Sequence, residues 1–254
     1  GDELNNPSKY FDVKLWTGDG QDNRTVGGLG FQPDLVWLKL RETAADGYNY
    51  NHNIYDAVRG AGHRLEPNDS AVSQSGQPLD QFNSDGFRVD NNTQVNESNK
   101  DYVSWNWDSG TAGGANDTGS IDVDSPNQWV NTTAGFSITK YDGGGNSVST
   151  VGHGLNAPPE LIIIKNKTAG DDWAVYHEGL GNTKDLCLNS GDAASTRTMW
   201  NDESPDADEF TLGAAPGNDF HNRVNQSGQT YIAYCWTPIL GYSKFGTYTG
   251  NGDS

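Results

Sequence analysis

Residues 33–41 read PDLVWLKLR, and residues 159–167 read PELIIIKNK. In both stretches a proline and an acidic residue precede a run of apolar side chains that does not alternate with polar ones. A strand that is apolar in succession is buried on both faces, whereas a strand with one face in water alternates. We therefore expect each stretch to form the central strand of a sheet that is covered by another layer.

The similarity between these stretches extends outward in both directions, which indicates an internal repeat. Further blocks recur in the same order, namely 11–18 with 136–143, 85–89 with 208–212, 95–96 with 224–225, and 102–107 with 231–236. The sequence FGTYTGNG at 245–252 repeats the opening block once more. We predict a first β-sandwich at 1–115, a linker rich in glycine and small polar residues at 116–133, a second β-sandwich at 134–241, and the start of a third repeat at 242–254.

The composition favours short strands joined by turns. The chain has 32 glycines and a single methionine, a balance typical of turn-rich proteins rather than helical ones. Eight tryptophans beside a modest aliphatic share predict small cores built on aromatic rings. The predicted fold class is all-β, with two tandem antiparallel β-sandwich modules of the jelly-roll or concanavalin-like type. The alternative is a single closed structure in which the two copies share one core.

The formal net charge of −18 excludes several classes of partner. Nucleic-acid binding depends on neutralising phosphates with Lys and Arg, so we predict no nucleic-acid partner. No run of apolar residues is long enough to span a bilayer, so we predict no membrane insertion.

The turn at 17–23, TGDGQDN, places oxygen-bearing side chains at alternate positions, as calcium loops do. Asp19 and Asp22 are the candidate calcium ligands. The matching turns, DGGGN at 142–146 and TGNGD at 249–253, keep the glycines but not the alternating oxygens. A glycine-bearing hairpin turn without metal is the alternative.

Four charged residues belong to the first central strand and the segment after it. Lys39 and Arg41 are two residues apart, so their side chains share one face of the strand; Asp56 and Arg59 follow downstream. We predict that these four form an ion-pair network that holds the sandwich, because unpaired buried charges are costly. The alternative is a polar groove for a sugar or an anion.

A cluster of rings in the second copy suggests a glycan-binding patch formed by Trp173, Tyr176, His177 and Trp200. Aromatic faces stack on sugar rings while neighbouring polar groups bind the hydroxyls. Packing of the same rings in the core is the alternative. Three other tryptophans lie on predicted strands and are expected in the core: Trp37, Trp107 and Trp236.

The sequence supports no catalytic residues. The acidic run at 202–209 supplies carboxylates but has no counterpart in the first copy, so a solvated loop explains it better than glycoside hydrolysis does. The five histidines lack a zinc-like spacing. Cys187 and Cys235 are either free thiols or a disulfide.

Several motifs together resemble tandem modules in tail-fibre and other virion surface proteins of marine tailed phages, including cyanophages. They are GFQPDLVW at 30–37, RG at 59–60, YIAYCW at 231–236, GYSK at 241–244 and YTGNG at 248–252. The first copy departs modestly from this pattern, with WTGD at 16–19 and a cysteine-free SWNW at 104–107.

The resemblance implies a lectin-like β-sandwich at the virion surface, in an extracellular setting. It also implies host attachment through cell-surface polysaccharide, contact with other virion proteins, and homo-oligomerisation along a fibre. The alternatives are a polysaccharide-degrading enzyme, such as a depolymerase or glycoside hydrolase, and a ligand-free decoration protein.

Overall fold

Both apolar runs form strands in a computed structural model of the protein, which describes Leu4, residues 6–213 and residues 219–252. Every ladder between its strands is antiparallel. Within the described residues, the helices are two short α-helices and two 3-10 turns, and no helix is long and apolar enough to cross a membrane. The prediction of an all-β, antiparallel fold is confirmed.

The first strand set forms a large and a small sheet. The large sheet has the order β1-β7-β3-β4, and the small sheet has the order β2-β6-β5. The elements are β1 (Phe11–Thr17), β2 (Arg24–Val26), β3 (Leu35–Leu40), β4 (Asn53–Asp56), β5 (Leu79–Asn83), β6 (Gly86–Val89), α1 (Thr93–Asn96) and β7 (Asp101–Trp107).

The second strand set has the same plan with added edge strands. Its large sheet has the order β15-β14-β13-β12-β17-β10-β9-β8, and its small sheet pairs β11 with β16. The elements are β8 (Thr111–Ala112), β9 (Gln128–Asn131), β10 (Phe136–Asp142), β11 (Ser149–Gly152), β12 (Leu161–Asn166), β13 (Ala174–His177), β14 (Lys184–Cys187), β15 (Ser195–Thr196), β16 (Glu209–Leu212), α2 (Asp219–Val224) and β17 (Thr230–Trp236).

The strand registers of the two sets agree residue by residue. Trp107 lies opposite both Phe11 and Leu35 in the first large sheet. Trp236 lies opposite both Phe136 and Leu161 in the second. Positions in one set can therefore be assigned equivalents in the other from their place in the ladders.

Three clusters of buried residues lie between the sheets. One fills the space between the large and small sheets of the first set, and a second does the same for the second set. A third cluster joins the two large sheets: Leu35 and Ile54 of the first set pack with Phe136, Ile138 and Ile163 of the second. Each set therefore has its own core, and the two sets share a third.

The prediction that residues 116–133 form a linker free of both strand sets is wrong. Strand β9, which lies within it, pairs with β10 as part of the second large sheet. Ile121 and Val123 are buried in the core of the second set, because their side chains supply apolar surface to a stretch that otherwise looks polar. The other predicted boundaries, at 115, 134 and 241, stay predictions.

The predicted start of a third repeat, 242–254, forms no strand within its described part, which ends at 252. A strand needs a neighbour with which to pair. Phe245 instead lies half-buried against residues of both large sheets.

Candidate functional site

The predicted glycan patch in the second set is not accessible. Trp173, Tyr176 and Trp200 are 0%, 2% and 1% exposed, so their faces cannot stack on a sugar from solvent. Tyr176 packs edge-on against Trp200 in the second core. His177 is half-buried and accepts a hydrogen bond from the Gly179 N–H at 3.0 Å.

Trp173 instead joins the two strand sets. Its indole Nε1 donates to the carbonyl oxygens of Glu66 (3.1 Å) and Asp69 (3.0 Å), which belong to a loop of the first set. The ring packs in the cluster between the large sheets. A buried indole needs a partner for its N–H, and this loop supplies two.

The predicted ion-pair network is right for one pair and wrong for the other two residues. Arg59 Nε lies 2.5 Å from the Asp56 carboxylate, and both side chains are buried. Tyr234 of the second set donates its hydroxyl to the same carboxylate at 2.6 Å. Lys39 instead donates to the Leu40 carbonyl oxygen at 2.7 Å, and Arg41 is exposed, because β3 ends before Arg41 and the chain turns away.

The predicted calcium turn is held by hydrogen bonds within the chain. The Asp19 carboxylate accepts from Asn96 Nδ2 at 2.8 Å and lies 3.3 Å from Arg24. Asp22 accepts from the Asn91 N–H at 3.3 Å. In the described part of the chain, no cluster of three or more His, Cys, Asp and Glu side chains is placed to hold a metal. Calcium binding here stays a prediction.

The recurring glycines of these turns have a steric role. A Cβ on Gly18 would lie 2.0 Å from the Glu97 carbonyl oxygen, and one on Gly143 would lie 2.2 Å from the Gln226 carbonyl oxygen. Only glycine allows the backbone to pass this close. This explains why the glycines recur where the acidic residues do not.

The acidic run and the cysteines have structural contacts. Glu203 accepts from the Thr211 hydroxyl at 2.8 Å, and Asp206 accepts from the backbone of the turn that follows it. Cys187 and Cys235 are free thiols, and Cys187 Sγ accepts from Arg223 at 2.9 Å.

An aromatic groove opens where the two large sheets meet. It consists of a cavity of about 330 Å³ and an adjoining open one of about 300 Å³, and Trp37 and Trp107 line both. The rings of Trp107 and Trp236 lie 6.2 Å apart across the junction of the two sets. We define the aromatic groove by Phe11, Trp37, Trp105, Trp107, Leu161, Ile163, Trp236, Tyr242 and Phe245, with His52 and Ser243 as polar members.

His52 gives the groove an oriented hydrogen-bond donor. The Trp37 indole Nε1 donates to His52 Nδ1 at 3.0 Å. Burial, followed by the charge of Lys39, lowers the pKa of His52 and favours its neutral form. A neutral ring that accepts at Nδ1 carries its proton on Nε2. Since no described residue accepts from that nitrogen, it can donate to a ligand.

The open part of the groove is the first set's counterpart of a buried face in the second set. The ladders make Trp37 equivalent to Ile163 and Trp105 equivalent to Tyr234. Ile163 and Tyr234 are buried between the large sheets, whereas Trp37 and Trp105 are half-buried. Val13, opposite Trp105, is 39% exposed and extends the apolar surface.

Sequence reasoning missed this groove because it assigned Trp37, Trp107 and Trp236 to the core. Their positions on strands were right, but all three are half-buried. One signal was present: the first copy has tryptophan at 37 and 105 where the second has isoleucine and tyrosine. Enrichment in tryptophan at positions that need only bulk indicates a surface with another role.

A family model described as a domain of unknown function (DUF7483) matches residues 6–254. No curated protein and no solved structure gives a significant match to the chain.

Proposed function

We propose that this chain, which belongs to the family DUF7483, is a structural module of a virion surface appendage that binds host polysaccharide in its aromatic groove. The observation that carries the proposal is the row of half-buried tryptophan faces, Trp37, Trp105 and Trp107, beside the free Nε2–H of His52. Stacking surfaces with a few directed polar groups are what saccharide recognition requires.

Other features of the molecule are consistent with a binding module on the surface of a particle. The net charge of −18 keeps the chain away from nucleic acid and anionic surfaces. The groove is built on strands that are held in place by two cores, so its rings are positioned before a ligand arrives. Assignment to a virion rests on the motif resemblance described above.

The first experiment is a screen of the protein on an array of bacterial and algal polysaccharides, followed by titration of each hit by tryptophan fluorescence. We expect selective binding that quenches or shifts the tryptophan emission. Trp105→Ala should weaken binding about fivefold, because a stacked ring contributes roughly 1 kcal/mol.

Tyr248→Ala is the matched control, because Tyr248 is 94% exposed and lies outside the groove. Both variants should melt close to the parent temperature. Unchanged binding by Trp105→Ala, or silence across the array, would overturn the groove as the glycan site. Virion location is checked separately by labelling intact particles with an antibody against this chain.

A further inference from the structure

A polar pocket recurs at the same place in both strand sets. In the second set it has a volume of about 240 Å³, and its charged members are Asp122, Asp124, Lys140, Asp142 and Lys167. In the first set the matching pocket is lined by Leu15, Trp16, Thr17, Arg41 and Asp101.

The strand ladders prove the equivalence. Thr17 lies opposite Asp101 in the first large sheet, and Asp142 lies opposite Thr230 in the second. The residue after the central strand bonds to the same partner in each set: the Arg41 N–H donates to the Asp101 carbonyl oxygen, and the Lys167 N–H donates to the Thr230 carbonyl oxygen.

A threonine–aspartate hydrogen bond is present in both pockets with the two residues exchanged. Thr17 donates to Asp101 at 2.7 Å, and Thr230 donates to Asp142 at 2.7 Å. Each bond holds one carboxylate oxygen and leaves the other without a hydrogen bond from any residue that the structure describes. Both pockets thus contain a fixed carboxylate beside a cation, Arg41 or Lys167, although the side chains come from opposite strands.

The pocket of the second set holds its charges apart. Lys140 and Lys167 are half-buried, yet neither ammonium group has a hydrogen-bond partner or lies within 4.0 Å of a carboxylate of any described residue. Burial, and then the positive charge of Lys140, lower the pKa of Lys167. Two ammonium groups and three carboxylates therefore line one small cavity without pairing with each other.

We propose that this pocket, with Lys140, Asp142 and Lys167 as its central residues, binds the hydroxyl groups of an uncharged saccharide. A hydroxyl between an ammonium group and a carboxylate accepts from the first and donates to the second, so it satisfies both. A carboxylate or sulfate ligand would meet Asp122, Asp124 and Asp142. An ammonium ligand would meet the two lysines.

The polar pocket is separate from the aromatic groove. Except for Tyr141, all lining residues of the polar pocket carry polar side chains, and none of them lines the groove. A saccharide is held in the pocket by its hydroxyls, and in the groove by its apolar ring face. Loss of one site should leave the other unchanged.

The test is titration of the full chain, carrying ¹³C-labelled lysine, with the methyl glycosides of glucose, galactose and mannose, followed by NMR. At least one glycoside should shift the side-chain resonances of both Lys140 and Lys167 in a saturable way. Lys167→Met should weaken this binding about tenfold, because a hydrogen bond to a charged group is lost.

Three comparisons make the result decisive. Arg41→Met removes the equivalent cation of the first set and should leave the Lys140 shift unchanged, while Trp105→Ala should also leave it unchanged. Asp142→Asn should weaken binding as Lys167→Met does. The absence of saturable shifts with all three glycosides, or a methyl hexuronide that shifts the lysines more strongly than its neutral parent, would overturn the proposal.

Discussion

The same sheet face is buried to different extents in the two strand sets. In the second set the face carrying Ile163 and Tyr234 is closed against the first set, whereas in the first set the face carrying Trp37 and Trp105 is half open. The strand order and register are the same. The side chains and one loop, rather than the backbone plan, decide whether the face becomes a core or an open groove.

A clear difference in burial between equivalent residues is that between His52 and Trp173. The ladders place His52 and Trp173 directly before β4 and β13, at matching positions. The backbone N–H of each makes a matching contact: that of His52 donates to Asn68 Oδ1 at 3.0 Å, and that of Trp173 donates to Asn189 Oδ1 at 2.9 Å. Trp173 is nevertheless fully buried, and His52 is half-buried in the groove.

We expect Trp173→Ala to have the largest effect on stability. It should lower the free energy of unfolding by about 4 kcal/mol, because it opens a cavity and removes two hydrogen bonds between the sets. His52→Ala should lower the free energy of unfolding by only about 1 kcal/mol, since it removes one partly exposed hydrogen bond, the one from Trp37. Urea denaturation followed by circular dichroism measures both. Equal costs would show that the two faces do not differ as described.

The next largest effect on stability is expected at the buried ion pair of Asp56 and Arg59, which contacts Tyr234 of the shared core. The residue equivalent to Arg59 in the second set is Leu180, which follows His177 by the same spacing as Arg59 follows Asp56. Arg59→Leu should cost about 3 kcal/mol, because it leaves the Asp56 charge buried without its partner. The double variant Asp56→Asn with Arg59→Leu should recover part of that loss. A double variant no more stable than Arg59→Leu would contradict this explanation.

The smallest effect on stability is expected at Asp34, whose carboxyl group directly precedes β3 as that of Glu160 directly precedes β12. Burial raises the pKa of Asp34 to about 7, although hydrogen bonds from Gln32 and the Ser109 N–H oppose the shift. The equivalent Glu160 is half-buried. A raised pKa contributes stability below about pH 4 that is lost as the pH rises through about 7.

Asp34→Asn should therefore gain stability relative to the parent as the pH is raised from 4 to 8. Glu160→Gln is the matched control and should show no comparable gain. Denaturation curves of all three proteins at the two pH values check this. A parallel pH response of Asp34→Asn and the parent would show that Asp34 is ionised throughout.

The central elements of the fold were predictable from the sequence. The runs at 33–41 and 159–167 give strands whose two faces are both covered, because their apolar side chains do not alternate. The recurrence of the Val-Asn pair was also informative. Asn96 and Asn225 are both buried. Each accepts a hydrogen bond from a backbone N–H in the turn after the opening strand, Asn96 from Asp19 and Asn225 from Gly144.

The candidate sites were not predictable in the same way. Trp173 follows a polar loop, and only the distant carbonyl groups of Glu66 and Asp69 show why it is buried. The packing of one large sheet on the other brings together residues that are far apart in sequence. A pattern in one segment predicts that segment's own faces but not which of them the other copy will cover.

The shared third core has a consequence for how such a gene can change. Two similar segments in one reading frame invite recombination that deletes one of them. A deletion product would expose Phe136, Ile138 and Ile163 of the second set, or Leu35, Ile54 and Leu65 of the first, as an apolar patch prone to aggregation. We expect selection to remove such products, so that repeats in lineages carrying this arrangement are gained and lost in pairs rather than singly.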